Sequence, residues 1–452
     1  VREAQRILAV SHIIVKNVGG VKRDIGHLVD MSKPCFYSFS TLSYKHQYAS
    51  CCAFQTDQLI RFYDDLLPSK IHNHTGFRNI RKNLMNDKWP DGCLHCKISE
   101  EENSKSSRQD YLFNGIKFEN EDDNFTFSFY DEKSGIIKNE GLKRIEIRMN
   151  NVCNMSCLHC SNGYSSKWNK IVNDYTPDVL DYELDISQLI EKNDQLGLTE
   201  NQLIEIIQDV NRNFINLNRV ILSGGEPLLN KSFFKVLDLL SEHKNSKNIR
   251  LTFYTNLNVG YDIDFDRLSK CLSKFGKTEI AISIDAGEKI YPYFRDGSWD
   301  KLNENIKNLK KTNNFSSLET SMSFSAFQLL DLKNIIKDIL SLKLSEFRTG
   351  LVWTPKYLNP LVLMCRYRKE LLYDFDNILS YLEKLPKTNL NNSIYYYLQN
   401  LKPRIFDIRS DEKNYKAFLR YIYKIDKIMN KNFNDYYDRF KIIDNELVKI
   451  YE

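Results

Sequence analysis

The sequence predicts an α/β protein: a parallel sheet, curved or closed, with helices on its outside. Three observations predict it. Short apolar or alternating runs recur from Arg144 to Trp353, helical patterns separate them, and turn residues punctuate the boundaries. The first strand is Arg144-Ile145-Glu146-Ile147-Arg148-Met149, a period of two. A helix over 199–214 follows, with Thr199 and Gln202 spaced as a capping box. The second strand centres on Val220-Ile221-Leu222 and leads to a helix over 232–243. Strand 251–254, helix 265–275, strand 280–284, helix 299–309, strand 321–324, helix 331–342 and strand 347–353 complete six strands. Ligand chemistry in such sheets sits at the carboxyl ends of the strands.

Outside this repeat the chain reads differently. Residues 1–97 show little periodicity apart from a helix over 76–85, closed by Trp89-Pro90-Asp91-Gly92. Residues 98–141 carry acidic runs and read as a solvated connector, with an alternating patch at Phe125–Tyr130. After Pro360 the pattern is mostly helical and rich in Tyr and Lys.

The 452 residues are 42% apolar and 27% charged, with a net charge of +5. That excludes wholesale disorder, and the charge is too weak to identify a nucleic-acid binder. No apolar run is long enough to span a membrane, and no signal peptide is visible at the N-terminus. A cytoplasmic, reducing setting is therefore expected. Of the ten cysteines, eight precede residue 161, too sparse a set for a disulfide scaffold and more consistent with metal.

Cys153-x3-Cys157-x2-Cys160 directly follows the first strand. Three thiolates at this spacing can ligate three irons of a cubane cluster and leave one iron open to a small molecule. A zinc knuckle or three unrelated buried thiols are the alternatives. Ser223-Gly224-Gly225-Glu226-Pro227 ends the second strand, where adjacent glycines admit close approach of a ligand to the backbone. The remaining N-terminal thiols are Cys35, Cys51, Cys52, Cys93 and Cys96. Their spacing suits an iron–sulfur cluster or a zinc site equally. Cys271 and Cys365 are isolated and read as small buried side chains.

The cysteine triplet and Gly224-Gly225-Glu226-Pro227, in this order on successive strands, resemble the radical S-adenosylmethionine (SAM) superfamily. The resemblance implies a partial (β/α)6 TIM-like barrel with a small irregular N-terminal iron–sulfur module and a C-terminal helical extension. It implies a [4Fe-4S] cluster on Cys153, Cys157 and Cys160, whose open iron binds SAM. SAM contacts are implied for His159, Ser223, Gly224, Gly225, Glu226, Pro227, Asn256, Ser283, Asp285 and Arg295. Lys33-Pro34-Cys35, Cys51-Cys52 and Cys93-Leu94-His95-Cys96 are similar to the auxiliary-cluster module of twitch-domain members. That likeness implies a second [4Fe-4S] cluster on Cys35, Cys93, Cys96 and one of the Cys51-Cys52 doublet, with Cys51 favoured.

The expected organisation is therefore an auxiliary module (1–97), a connector (98–141), a barrel (142–357) and a helical extension (358–452). The expected activity is oxidoreductase chemistry: reductive cleavage of SAM to a 5′-deoxyadenosyl radical, then hydrogen abstraction from a peptide or small molecule. A flavodoxin- or ferredoxin-type reductant would supply the electron. The alternatives are modification of a tRNA base, or a non-catalytic iron–sulfur or zinc protein of electron transfer or assembly.

Overall fold

The computed structural model describes residues 35, 38, 41–44, 48–49, 67–101, 129–161, 163–174, 198–260, 263–352, 355–406 and 412–437. Cys51, Cys52, Phe125 to Ser128 and Trp353 lie outside them. In the N-terminal region, strands β1 (Thr41–Tyr44) and β2 (Tyr48–Ala49) precede helices α1 (Pro68–Ile71), α2 (Thr75–Met85) and α3 (Leu94–Glu101). A two-residue hairpin, β3 (Tyr130–Asp131) and β4 (Ile136–Ile137), leads into β5 (Arg144–Arg148) and α4 (Ser166–Asp174). Then α5 (Glu200–Asn213), β6 (Arg219–Ser223), α6 (Phe233–Ser241), β7 (Arg250–Thr255), α7 (Phe265–Leu272) and β8 (Lys277–Ser283) alternate. Next come α8 (Tyr291–Phe294), α9 (Trp299–Thr312), β9 (Ser317–Phe324), α10 (Ala326–Leu330), α11 (Leu332–Ser341) and β10 (Glu346–Leu351). The chain continues through α12 (Met364–Glu383), α13 (Asn389–Phe406), α14 (Glu412–Met429) and α15 (Phe433–Tyr436).

All six expected strands form. They lie in the order β10-β9-β8-β7-β6-β5 and are parallel throughout, the half-barrel that alternating strands and helices dictate. The sheet also gains a seventh parallel strand that the sequence does not announce: β1 pairs with β5 from Thr41↔Arg144 to Tyr44↔Ile147. Four residues, Thr-Leu-Ser-Tyr, are too few to show a period. The helix expected over 331–342 forms as α11, and a separate short helix that the pattern does not announce, α10, precedes it, started by Ser325 with its own capping box to Gln328. The box expected at Thr199 forms, with Gln202 N donating to Thr199 Oγ1 at 3.3 Å and Thr199 N donating to Gln202 Oε1 at 2.9 Å.

Each strand has two unlike faces. Ile145, Ile147, Val220, Leu222, Leu251, Phe253, Ile280 and Ile282 point outward and are almost wholly buried under the helices. Burial of one such side chain contributes roughly 1.5–3 kcal/mol, so this sheet–helix layer is the core. Many inward residues are polar, Arg148 on β5, Thr252 on β7, Glu279 and Ser283 on β8, Glu319 and Ser321 on β9 and Arg348 on β10, with Ile221 of β6 and Ala281 of β8 as apolar members of the same face. A closed small barrel fills its centre with apolar side chains. This one keeps a polar interior, which requires internal partners or a ligand.

The N-terminal helices are tied to the barrel. Ser69 N and Oγ donate to the buried Asp209 of α5 at 2.8 and 2.7 Å. The buried Arg81 donates to Gly135 O, His72 O and Asn73 Oδ1. At the other edge, Phe347 N of β10 donates to Ser393 Oγ of α13 at 3.0 Å. Among the described residues no helix is long and apolar enough to cross a membrane.

Candidate functional site

The loop after β5 and the turn after β6 are built as one piece. Gly225 N donates to Asn150 O and Glu226 N to Val152 O, both at 2.7 Å. This contact explains the glycines. A Cβ on Gly224 would lie 2.7 Å from Asn150 O, and one on Gly225 would lie 2.3 Å from Val152 O. Backbone lies where any side chain would go, so only glycine permits the two segments to meet.

Cys153, Cys157 and Cys160 share one cavity of about 400 Å³ at the carboxyl ends of the strands. Gly224, Gly225, Asn256, Ser283, Arg295 and His159 line it too. Its size falls in the ~300–1,000 Å³ of small-molecule sites. Burial raises the proton affinity of all three thiols, pushing Cys160 up to about 12. Nearby positive charge works against this, and a bound metal would deprotonate them. Asn256 Nδ2 donates to Cys153 Sγ at 3.8 Å and to Asn154 Oδ1 at 3.0 Å.

Four expected contact residues stand behind this wall rather than on it. Ser223 O accepts from Met149 N at 2.9 Å, and Pro227 is buried at the start of a single 3-10 turn. Glu226 is fully buried. Its carboxylate accepts from Thr255 Oγ1 (2.7 Å), Leu228 N (3.1 Å) and Asn256 N (2.5 Å). Burial pushes its carboxyl up to about 7, against those three donors. Glu226 therefore braces the end of β7 and the backbone of Asn256 that follows it. Asp285 accepts from Ser323 N at 2.6 Å and from Arg295 Nη1 at 2.5 Å. Burial alone would weaken Arg295's hold on its proton, but Cys157 and Asp285 outweigh it and the net shift is upward.

His159 stacks on Phe294 with centroids 5.1 Å apart, so one ring face is already covered. Burial lowers its pKa, favouring the neutral ring, although Asp285 lies 3.8 Å from Nε2. Its buried Nδ1, like Arg295 Nε, has no hydrogen-bond partner among the described residues. Tyr164 also lines the cavity, with the Arg148 guanidinium 3.4 Å from its ring centroid. Met155, Tyr254 and Pro355 also line it, and sequence reasoning passed over them because none is of a residue type that its motif or strand marks for chemistry.

Residues 147–322 match the family model of the radical SAM superfamily. The chain carries a radical SAM domain. Members of that superfamily are enzymes, and the family implies SAM and a [4Fe-4S] cluster. No curated protein matches the sequence. Among solved structures, anSMEcpe with bound AdoMet is 17% identical, covering 60% of this chain and 68% of that one, with a TM-score of 0.38. Streptococcus suis SuiB bound to S-adenosylmethionine is 14% identical, covering 69% of this chain and 64% of that one, TM-score 0.36. The match thus spans less than two thirds of SuiB. TYW1 with a lysine-pyruvate adduct is 15% identical, covering 64% and 89%, TM-score 0.29.

The residues of the radical SAM domain fit the implied groups. Among the described residues, no three His, Cys, Asp or Glu side chains converge to hold a single ion. The three thiols line one cavity, and thiolates are the donors a [4Fe-4S] cluster takes. Gly224 and Gly225 line the same cavity, and His159 Nδ1 and Arg295 Nε are buried polar atoms beside it with no hydrogen-bond partner among the described residues, which suits a polar ligand. In the N-terminal region, Cys35 and Cys96 are buried and Cys93 half-buried, on the turn that opens α3. Cys51, the fourth member of the expected second centre, lies outside the described residues.

Proposed function

We propose that this chain is a radical SAM enzyme that holds a [4Fe-4S] cluster on Cys153, Cys157 and Cys160 and binds SAM beside it. The observation that carries the reading is the one cavity that three thiols, Gly224 and Gly225 line together, at the strand ends of the matched domain. When bound, the cluster and SAM supply a 5′-deoxyadenosyl radical able to take hydrogen from an unactivated C–H bond. The chain's own residues orient and enclose. Gly224 and Gly225 admit the methionine end to the backbone, and Asn256 steadies Cys153. Ser283 offers a hydroxyl to the ribose. Arg295, held by Asp285, places positive charge beside Cys157.

A peptide or small molecule would enter from the open side of the half-barrel. There Gly350 of β10 is exposed and has nothing within 4 Å of where a Cβ would stand. An auxiliary cluster on Cys35, Cys51, Cys93 and Cys96, as in twitch-domain members, would exchange electrons with the active site. A flavodoxin- or ferredoxin-type protein would supply the reducing electron.

Anaerobic reconstitution with iron and sulfide tests the reading. Two four-iron clusters give about eight irons per chain. Dithionite and SAM should then yield 5′-deoxyadenosine, and Cys153→Ala should abolish it while about four irons remain. Wild-type protein that loads iron yet leaves SAM intact would refute the enzyme. A wild type holding only about four irons, all lost in Cys153→Ala, would remove the auxiliary cluster alone.

A further inference from the structure

The segment from Cys153 to Cys160 is held from several sides. Trp168 of α4 donates its indole N–H to Cys157 O at 3.1 Å, and Leu158 N donates to Phe294 O at 3.0 Å. Another support arrives from 263 residues away: the Tyr421 hydroxyl on α14 donates to Leu158 O. Leu158 is wholly buried and Tyr421 nearly so, with its ring packed 5.2 Å from that of Tyr357. Neither group can turn to water instead, so losing the bond would strand a carbonyl in the interior. The same C-terminal segment grips the loop again through Asp296. Lys431 Nζ donates to Asp296 Oδ1 at 3.1 Å and to Pro292 O at 2.6 Å. Asp296 accepts in turn from Ser156 Oγ at 2.5 Å. Asp426 on α14 accepts from Tyr293 OH at 2.9 Å.

We propose that Tyr421 is a positioning residue for the cysteine loop, and that α14 thereby forms part of the cluster site. The proposal rests on the radical SAM reading above. Leu158 O belongs to the peptide unit that also carries the His159 N–H, between the second and third cysteines. Fixing that unit fixes the direction in which Cys160 leaves the loop and the plane of the His159 ring against Phe294. The C-terminal helices, far from the motifs in sequence, therefore help set how the three thiols face their cavity.

Tyr421→Phe in the full-length protein removes the hydroxyl and keeps the ring. Tyr415→Phe is the control: it lies on the same helix, is buried, and bonds Tyr367 OH at 3.1 Å away from the loop. Three readouts apply: amide hydrogen exchange over residues 153–160 before cluster loading, the EPR signal of the reduced cluster with and without SAM, and the rate of 5′-deoxyadenosine formation. For Tyr421→Phe, exchange of the loop should quicken about tenfold and the SAM-induced EPR change should be altered. SAM cleavage should slow by about tenfold, within the range a small misplacement of reacting groups produces. Tyr415→Phe should match wild type in all three. Wild-type exchange and EPR in Tyr421→Phe would overturn the proposal, as would the same changes in Tyr415→Phe. If wild type cleaves no SAM yet Tyr421→Phe still quickens loop exchange, the radical SAM reading falls and the positioning role stands.

Discussion

At the lower end of the half-barrel, Glu279 of β8 sits among cations from β6, β7, β10 and its own strand. Arg250 Nε donates to it at 2.6 Å, Thr252 Oγ1 at 2.9 Å, and Arg348, Lys277 and Arg219 lie within 3.5 to 3.8 Å. Glu319 pairs with Arg348 at 2.5 Å one strand further on. At the upper end the same inward faces carry Ser283, Asn256, Gly225 and three thiols around a cavity. Both ends are polar and both are buried, yet the lower one answers each charge from within the protein. The upper one leaves His159 Nδ1 and Arg295 Nε without hydrogen-bond partners among the described residues. The lower end pairs its charges with one another, whereas the upper end surrounds a cavity of the size that takes a small molecule.

Substitutions at the two ends should therefore fail in different currencies. The largest effect is expected from Cys157→Ala: SAM cleavage should fall by more than about 1,000-fold, to background, because a cluster ligand is lost. Stability of the unloaded protein should change by no more than about 1 kcal/mol, measured by urea unfolding. Glu279→Gln should do the reverse. Breaking a buried charge cluster by removing one partner costs ~3–5 kcal/mol, while SAM affinity should stay within about twofold. Burial would raise the Glu279 carboxyl, but Arg250, Arg348 and Arg219 outweigh it and hold it at about 2, below the ordinary value of 4.5. Its stabilisation is thus complete above about pH 4.5 and lost as the pH falls through about 2. Acid unfolding curves should be shallower in Glu279→Gln over that window, and identical curves would deny the lower end its role.

The upper end was legible because chemistry there needs particular residue types at fixed spacing. Three thiolates on one loop and two adjacent glycines have few other uses, and both motifs land on the same cavity. The six strands were legible from outward Ile, Val, Leu and Phe that either alternate with polar groups, as in β5, or form short apolar runs between helical patterns, as in β6. What escaped was whatever depends on long-range partners. Glu226 looks like a ligand group from its motif. Its carboxylate is instead turned to Thr255, Leu228 N and the Asn256 N–H, which only the fold brings near. Strand β1 takes its identity from pairing with β5, and Tyr421 reaches Leu158 across most of the chain. The lower charge cluster escaped too, since its members are ordinary Arg and Glu until five strands align them.

Two glycines sharpen the comparison at the smallest scale. Gly225 lies where the cysteine loop and the β6 turn cross, and an added Cβ would lie 2.3 Å from Val152 O and 2.6 Å from Asn151 C. Gly350, on the open face of β10, has nothing within 4 Å. Gly225→Ala must push the two backbones apart, at a cost of about 1–3 kcal/mol, the range of overpacking in a tight interior. The displaced loop should also weaken SAM binding, because Cys153 follows Val152 directly. Gly350→Ala should stay within about 0.5 kcal/mol of wild type, as an exposed substitution without contacts does. Denaturant unfolding with SAM titration on both variants checks the pair. Equal effects at the two positions would mean that Gly225 serves flexibility alone, and the close approach of loop and turn would lose its place in the site.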